Sequence, residues 1–198
     1  ITDPGSTTCF AVLFAAINPY TKQVYILDEL YETSQENTTV RQIYPRIKAK
    51  MKELNPYIEI DDWYKVYDEA AAWFATELMG QFGDYFMPTA KHLYKKENGL
   101  SLCKDQMLYE TITFTDRMQK LKWEIQQYVR TDKGDIPKKN DHLIDCWRYL
   151  NAAANYDMNE VIEKKKPKDP RRAFKFKDDI EEFAKETDWT YNLIPWED

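Results

Sequence analysis

Histidine and cysteine are scarce in this sequence. Its two histidines (His92 and His142) and three scattered cysteines (Cys9, Cys103 and Cys146) offer no paired spacing from which an imidazole or thiolate metal cage could be built. An odd, unpaired set of thiols reads as reduced, as in a cytosolic protein. With only 5 Gly and 9 Pro in 198 residues, a fibrous or low-complexity chain is excluded. No apolar run approaches the roughly 18 residues that a membrane span needs, and no signal peptide is legible. An excess of positive charge is missing too. The 28 Lys and Arg stand against 34 Asp and Glu, for a net charge of −6, which excludes a globally basic protein that coats nucleic acid. Any metal must then be held by carboxylate oxygen, the chemistry of Mg²⁺ or Mn²⁺. Aromatics are plentiful, with 14 Tyr and 6 Trp, and the length suits one compact domain with a substantial core.

The sequence opens without Met at Ile1-Thr2-Asp3-Pro4-Gly5 and reads as a piece cut at the end of a strand. The apolar run Cys9–Ile17 has the length of a buried strand. Turn residues Asn18-Pro19-Tyr20-Thr21-Lys22 follow, and Val24–Tyr31 returns as the second arm of a hairpin. Thr38 or Thr39 then caps a helix whose stripe is Val40, Ile43, Ile47, Met51 and Leu54, stopped by Asn55-Pro56. Trp63–Tyr67 is predicted as a short strand ending at Asp68, with a helix from Glu69 to Phe82 closed by Gly83. A brief strand near Phe86–Thr89, a helix over Leu100–Tyr109 and a strand at Thr111–Phe114 come next. Thr115 is the expected cap of a helix with the stripe Met118, Leu121, Ile125 and Tyr128. Thr131–Lys139 is a polar, basic loop, and a last helix runs from about Asn140 to Tyr156. A hairpin followed by helices alternating with short strands predicts an α/β fold, a mixed sheet flanked by helices on both faces. We place this domain at residues 1–158. Residues 159–198 form a basic linker (Lys164–Arg172) and an acidic, aromatic tail.

The acids that stand out do so by position. Asp3 and Asp68 each end a strand, and Asp141 and Asp145 lie one turn apart on the last helix. Strand ends in an open α/β sheet gather at one edge, where crevices form. A helix crossing that edge could bring Asp145 against Asp3 and Asp68. Clustered carboxylates repel one another, and one or two divalent ions would offset the charge. Each residue also has an ordinary role open to it. Asp3 before Pro-Gly suits a turn, Asp68 a helix cap, Asp141 a first helical turn, and Asp145 a pairing with Arg148 or Lys139.

Three segments carry a family resemblance. Asp3-Pro4-Gly5 with the ILDELYE return resembles the start of the nuclease domain of a phage terminase large subunit. VYDEAAAWFATEL is similar to that family's middle motif, and Asp141-His142-Leu143-Ile144-Asp145-Cys146-Trp147-Arg148-Tyr149 resembles its closing one. Together these cover residues 1–156. The resemblance implies a ribonuclease H-like fold and metal-dependent cleavage of double-stranded viral DNA during packaging. It assigns Asp3, Asp68 and Asp145 as catalytic acids and ligands of a two-metal Mg²⁺ or Mn²⁺ site, with Asp141 and His142 assisting. Where the family often has a small residue and Pro soon after the middle acid, this sequence has Glu69 and alanines, so Glu69 shares the candidacy of Asp68. A portal protein and a small terminase subunit are the implied partners, and the host cytoplasm the implied location. No phosphate-binding GK[ST] motif occurs in the chain.

DNA contact needs local basic patches despite the negative total. Lys91, Lys95 and Lys96 form one candidate patch, and Lys133, Lys138 and Lys139 another beside the last helix; both suit a plain solvated surface as well. Trp63, Trp73, Trp123 and Trp147 read as core. Two other readings stay open: another nuclease on the same scaffold, such as a Holliday-junction resolvase or transposase, and a non-catalytic packaging-motor interaction module.

Overall fold

The computed structural model describes residues 1–5, 9–33, 39–89, 95–128 and 139–154. Its centre is the hairpin of β2 (Phe10–Ile17) and β3 (Val24–Glu32), antiparallel with an irregularity between Phe14 and Ala15. The β2 sequence is apolar without a break because both of its faces are covered. Cys9, Ala11 and Leu13 pack on one side with residues of α3 (Lys96–Leu108), α4 (Gln119–Gln127) and α5 (His142–Ala153). Phe10, Val12 and Phe14 pack on the other with α1 (Val40–Leu54) and α2 (Ala72–Phe82). The expected sandwich of helices on both faces is therefore what forms.

Short strands extend the hairpin to six. The order is β5-β4-β1-β2-β3-β6, with β1 at Thr2–Pro4, β4 at Val66–Tyr67, β5 at Met87–Pro88 and β6 at Ile112–Phe114. β1 is antiparallel to β2 and parallel to β4, which is parallel to β5, while β6 is parallel to β3. Only β2 runs against the rest, so the sheet is mixed.

Several predicted boundaries shift, each for a local reason. β4 is shorter than Trp63–Tyr67, because a 3₁₀ turn at Ile60–Asp62 takes the Trp63 N–H. α3 starts four residues before Leu100, running straight through Gly99. A Cβ there would lie 3.2 Å from the Arg148 Cδ of α5, so glycine at this point lets the two helices approach with the arginine stem undisturbed. Thr115 is not the cap of α4: its hydroxyl donates to the Leu27 carbonyl at 2.8 Å. The open N–H groups of Lys120 and Leu121 are instead bound by the Glu29 carboxylate of β3, at 2.6 and 2.8 Å. Thr39 precedes α1 without a side-chain cap, and its hydroxyl turns to Gln42. α5 begins at His142, since Asn140 has a left-handed φ of 56°. Lys91, Lys133, Lys138, Thr38 and the 159–198 tail lie outside the described residues. Among those described, no helix is long and apolar enough to cross a membrane.

Candidate active site

Strand alternation sets the first two acids. Asp3 pairs with Ala11, whose side chain faces the α5 side of the sheet, and side chains opposite one another in an antiparallel pair share a face. Thr2 is level with Tyr67 in the parallel β1–β4 pair, and the Asp68 N–H donates to the Thr2 carbonyl at 2.9 Å. Asp68 is thus the next residue along beside Asp3, at the ends of adjacent parallel strands. α5 crosses this edge, and its Cys146 thiol approaches the Ala11 carbonyl at 3.7 Å.

A side chain of α5 fixes each acid. His142 Nδ1 lies 2.9 Å from Asp3 Oδ2, a bond that places the proton on Nδ1. That bond holds the imidazole above the ordinary histidine pKa, against the opposing effect of burial. The Tyr149 hydroxyl donates to Asp68 Oδ2 at 3.0 Å, while Asp68 Oδ1 accepts the Ala70 N–H at 2.9 Å and caps the turn before α2. The ordinary cap role and the place at the edge coexist in one residue. Arg148 donates to Asp145 Oδ1 from Nε at 3.0 Å and from Nη2 at 2.9 Å, the pairing foreseen for Asp145. Burial pushes the Asp145 carboxyl above its usual range, with Arg148 and Lys96 opposing. The Tyr149 phenol is raised by burial and then by Asp145, Asp68 and Asp3 together, so all three carboxylates act on one hydroxyl.

The auxiliary candidates divide. Asp141 precedes α5 and binds Lys96 Nζ at 2.7 Å; the same ammonium lies 3.6 Å from Asp145 Oδ1. Glu69 is half-buried beside Asp68, its N–H donating to the Thr89 hydroxyl at 3.3 Å. Lys95 and Lys139 are exposed. Trp147 is core, but Trp123 is 40% exposed with Lys120 against its ring, so that expectation fails. Trp147 Nε1 donates to Gln106 Oε1 at 2.8 Å, and Gln106 and Asn151 exchange two bonds of 3.0 Å, all buried.

Glu124 went unnoticed in the sequence, and Tyr149 entered only as the last residue of the closing motif, without its bond to Asp68. Glu124 sits on the buried face of α4, three residues after Leu121, and is fully buried. Its Oε2 accepts the N–H groups of Leu143 and Ile144, at 2.9 and 3.1 Å, anchoring the start of α5. Burial pushes this carboxyl up to about 7, opposed by those two N–H groups and by His142. A raised carboxyl pKa means that the folded chain holds the proton more tightly, so this contribution to stability falls as pH rises from about 4.5 through 7. Glu124→Gln is expected to match the wild type near pH 5 and to be the more stable protein at pH 8. Thermal melts at the two values check this, and parallel losses at both would exclude it.

The donor chemistry at this edge fits a hard divalent ion. Asp3 Oδ1 and Asp145 Oδ2 accept no hydrogen bond among the described residues, while the other oxygen of each is anchored. Yet no three acid, histidine or cysteine groups among the described residues stand close enough around one point to hold an ion.

No protein-family model matches the chain, and no curated protein matches it. Solved structures do. The large terminase of a thermophilic bacteriophage, in complex with ADP, superposes with a TM-score of 0.62 at 18% identity over 79% of this chain and 39% of that one. The chain thus spans about two fifths of that protein's length. The nuclease domain of the bacteriophage SPP1 large terminase, with bound Mn, gives 0.57 at 18% identity over 76% of this chain and 82% of that one. The P22 large terminase nuclease domain gives 0.62 at 16% identity, over 81% and 84% respectively. The fold of this chain is accordingly that of the phage large-terminase nuclease domains, a ribonuclease H-like α/β arrangement.

Proposed function

We propose that the chain is a divalent-metal-dependent endonuclease, the domain of a terminase large subunit that cuts double-stranded viral DNA during packaging. One observation carries this reading. Asp3 and Asp68 stand side by side on adjacent parallel strands, under a helix whose His142 bonds Asp3 and whose Tyr149 bonds Asp68. The likeness to nuclease domains, one of them with bound Mn, adds support.

Asp3, Asp68 and Asp145 would hold the ion, of the Mg²⁺ or Mn²⁺ kind. When bound, it supplies a Lewis-acidic charge to the phosphodiester and lowers the pKa of water. The chain's own residues prepare the acids. His142 keeps one Asp3 oxygen fixed and leaves the other open, and Arg148 does the same for Asp145. Tyr149 ties Asp68 to α5, so the strand end and the helix move as one. Lys95 and Lys139, with Lys133 and Lys138, are proposed to meet the DNA backbone, and Glu69 to back up Asp68. In a full-length subunit the portal protein and the small terminase subunit are the proposed partners, at the procapsid in the host cytoplasm.

Incubation of supercoiled plasmid with Mn²⁺ tests the proposal. Wild type is expected to nick and linearise the plasmid, and Asp3→Ala to leave it intact while keeping its circular-dichroism spectrum. Equal behaviour of the two proteins defeats the assignment, and a strong preference for four-way junctions over linear duplex would replace packaging with junction resolution.

A further inference from the structure

The helix α4 has two sides at one spacing. Leu121 and Glu124, three residues apart, face inward and are buried; Lys120 and Trp123, also three apart, face outward and are exposed. The Lys120 ammonium stands 5.6 Å from the centre of the Trp123 ring and 5.6 Å from that of Tyr31 on β3. Tyr31 in turn meets His142 edge-on, with ring centres 6.4 Å apart, and His142 bonds Asp3. A row of Trp123, Lys120, Tyr31 and His142 therefore runs from the outer face of α4 to the first acid of the candidate site.

Two features set this row apart from an ordinary surface pair. The first is its charge. Lys50, Lys65, Lys96 and Arg148 are each paired with a carboxylate, whereas Lys120 has no ion pair among the described residues and rests on rings alone. The acids nearest to Tyr31 in the chain are engaged elsewhere: Glu29 takes the backbone N–H groups of Lys120 and Leu121, and Glu32 pairs with Arg46. The second feature is rigidity. Tyr31 is turned inward beside Cys9 and Glu124, and the Glu29 carboxylate pins the turn of α4 that carries Lys120. An ammonium without a counter-charge is thus held next to an indole that keeps 40% of its surface in water.

A free cation beside an exposed aromatic surface matches the two chemical ends of a nucleotide, the phosphate and the base. We infer that Lys120 and Trp123 form a contact site for a single nucleic-acid strand, with a phosphate on Lys120 and an unpaired base against Trp123, on the approach to the Asp3–His142 pair. A base inside a duplex has both faces covered by its neighbours, so the indole selects a strand end or a melted step, while the ammonium accepts either form. The inference takes its substrate class from the nuclease reading above but requires neither cleavage nor a metal.

Anisotropy of a labelled oligothymidylate, titrated with the intact chain in EDTA at several salt concentrations, tests this apart from cleavage. Trp123→Ala is expected to weaken binding about tenfold with the salt dependence unchanged, and Trp123→Phe to keep most of the affinity. Lys120→Ala is expected to weaken binding and to lower the slope of log affinity against log salt by about 0.7, the share of one phosphate contact on a single strand. An abasic strand of the same length is expected to bind wild type and Trp123→Ala alike, and a duplex to respond to Lys120→Ala alone. Both side chains lie on the outer face, so the variants are expected to keep the wild-type circular-dichroism spectrum. Wild-type affinity in both alanine variants overturns the inference, and so does a wild type that binds no single strand; plasmid nicking decides the nuclease reading separately in either case. A wild-type dimer that Trp123→Ala turns into a monomer would assign this face to a second copy of the chain and also overturn it.

Discussion

Phe74→Ala is expected to cost about 3–5 kcal/mol of stability, a large part of the 5–15 kcal/mol that a domain usually has. Phe74 lies on α2 with no exposed surface and is the meeting point of the aromatic cluster under the sheet. Its ring stands edge-on to Phe10 and Phe86, both with centroids at 5.5 Å, and tilts against Tyr67 at 6.1 Å. The truncation removes the contacts that tie β2, β4 and the segment entering β5 to one helix. Residues from three separate parts of the chain cannot all collapse inward to fill the space, which places the cost toward the upper end. Urea denaturation gives the value directly. Tyr20→Ala is the control: that ring is 91% exposed in the hairpin turn and its loss is expected to fall within about 0.5 kcal/mol. A Phe74→Ala loss below about 1 kcal/mol would show that the cluster is far less tightly packed than its ring geometry implies.

Arg148→Met is the second large effect, and its cause is charge. Methionine keeps much of the arginine stem, which passes Gly99 on α3, but removes the guanidinium. Asp145 exposes only 18% of its side chain and Arg148 only 7%, so the carboxylate is left with Lys96 at 3.6 Å as its one cation among the described residues. Breaking a buried pair from one side typically costs about 3–5 kcal/mol, and the remaining lysine points to the lower end, about 3. The pH dependence identifies the mechanism. Burial already holds the Asp145 carboxyl above its ordinary pKa, and loss of Arg148 raises it further. Folding then favours the protonated acid, so the deficit of the variant grows as pH rises and shrinks as pH falls toward 5. Urea titrations at pH 5 and 8 measure it. A deficit of equal size at both values would mean lost packing instead of an unpaired charge.

The two predictions differ in how far the sequence announced them. The run Cys9–Ile17 and the stripe from Val40 to Leu54 revealed the hairpin and α1 because their signal is local: length and periodicity alone mark a covered strand or a helix face. Asp145 and Arg148 were legible for the same reason, three residues apart on one helix. Phe74 could be placed on a helix, but its aromatic partners lie in β2, β4 and beyond, and no local pattern names them. The capping of α4 by Glu29 joins residues 91 and 92 positions apart, so Thr115 looked like the better cap. The place of Gly99 inside α3, against the Arg148 stem, depends on another helix that no local pattern shows. Lys96 looked like part of a surface patch with Lys95 because only the meeting of α3 with α5 turns one of two neighbouring lysines inward. Tyr149 bonds an acid 81 positions away. Short-range patterns wrote the elements, whereas the surroundings of each acid depend on how α3 and α5 meet.

The buried exchange among Gln106, Asn151 and Trp147 bears on that meeting. Apolar side chains tolerate a helix rolling about its axis, because one methyl contact replaces another at little expense. Amides do not, since their donors and acceptors must meet in direction as well as distance and an orphaned one is penalised. The trio therefore works as an angular detent for α5, holding its roll while the aliphatic contacts hold only its distance. A variant such as Gln106→Leu would leave a helix that is still docked but free to turn, and the chemistry of the sheet edge would blur before the fold was lost.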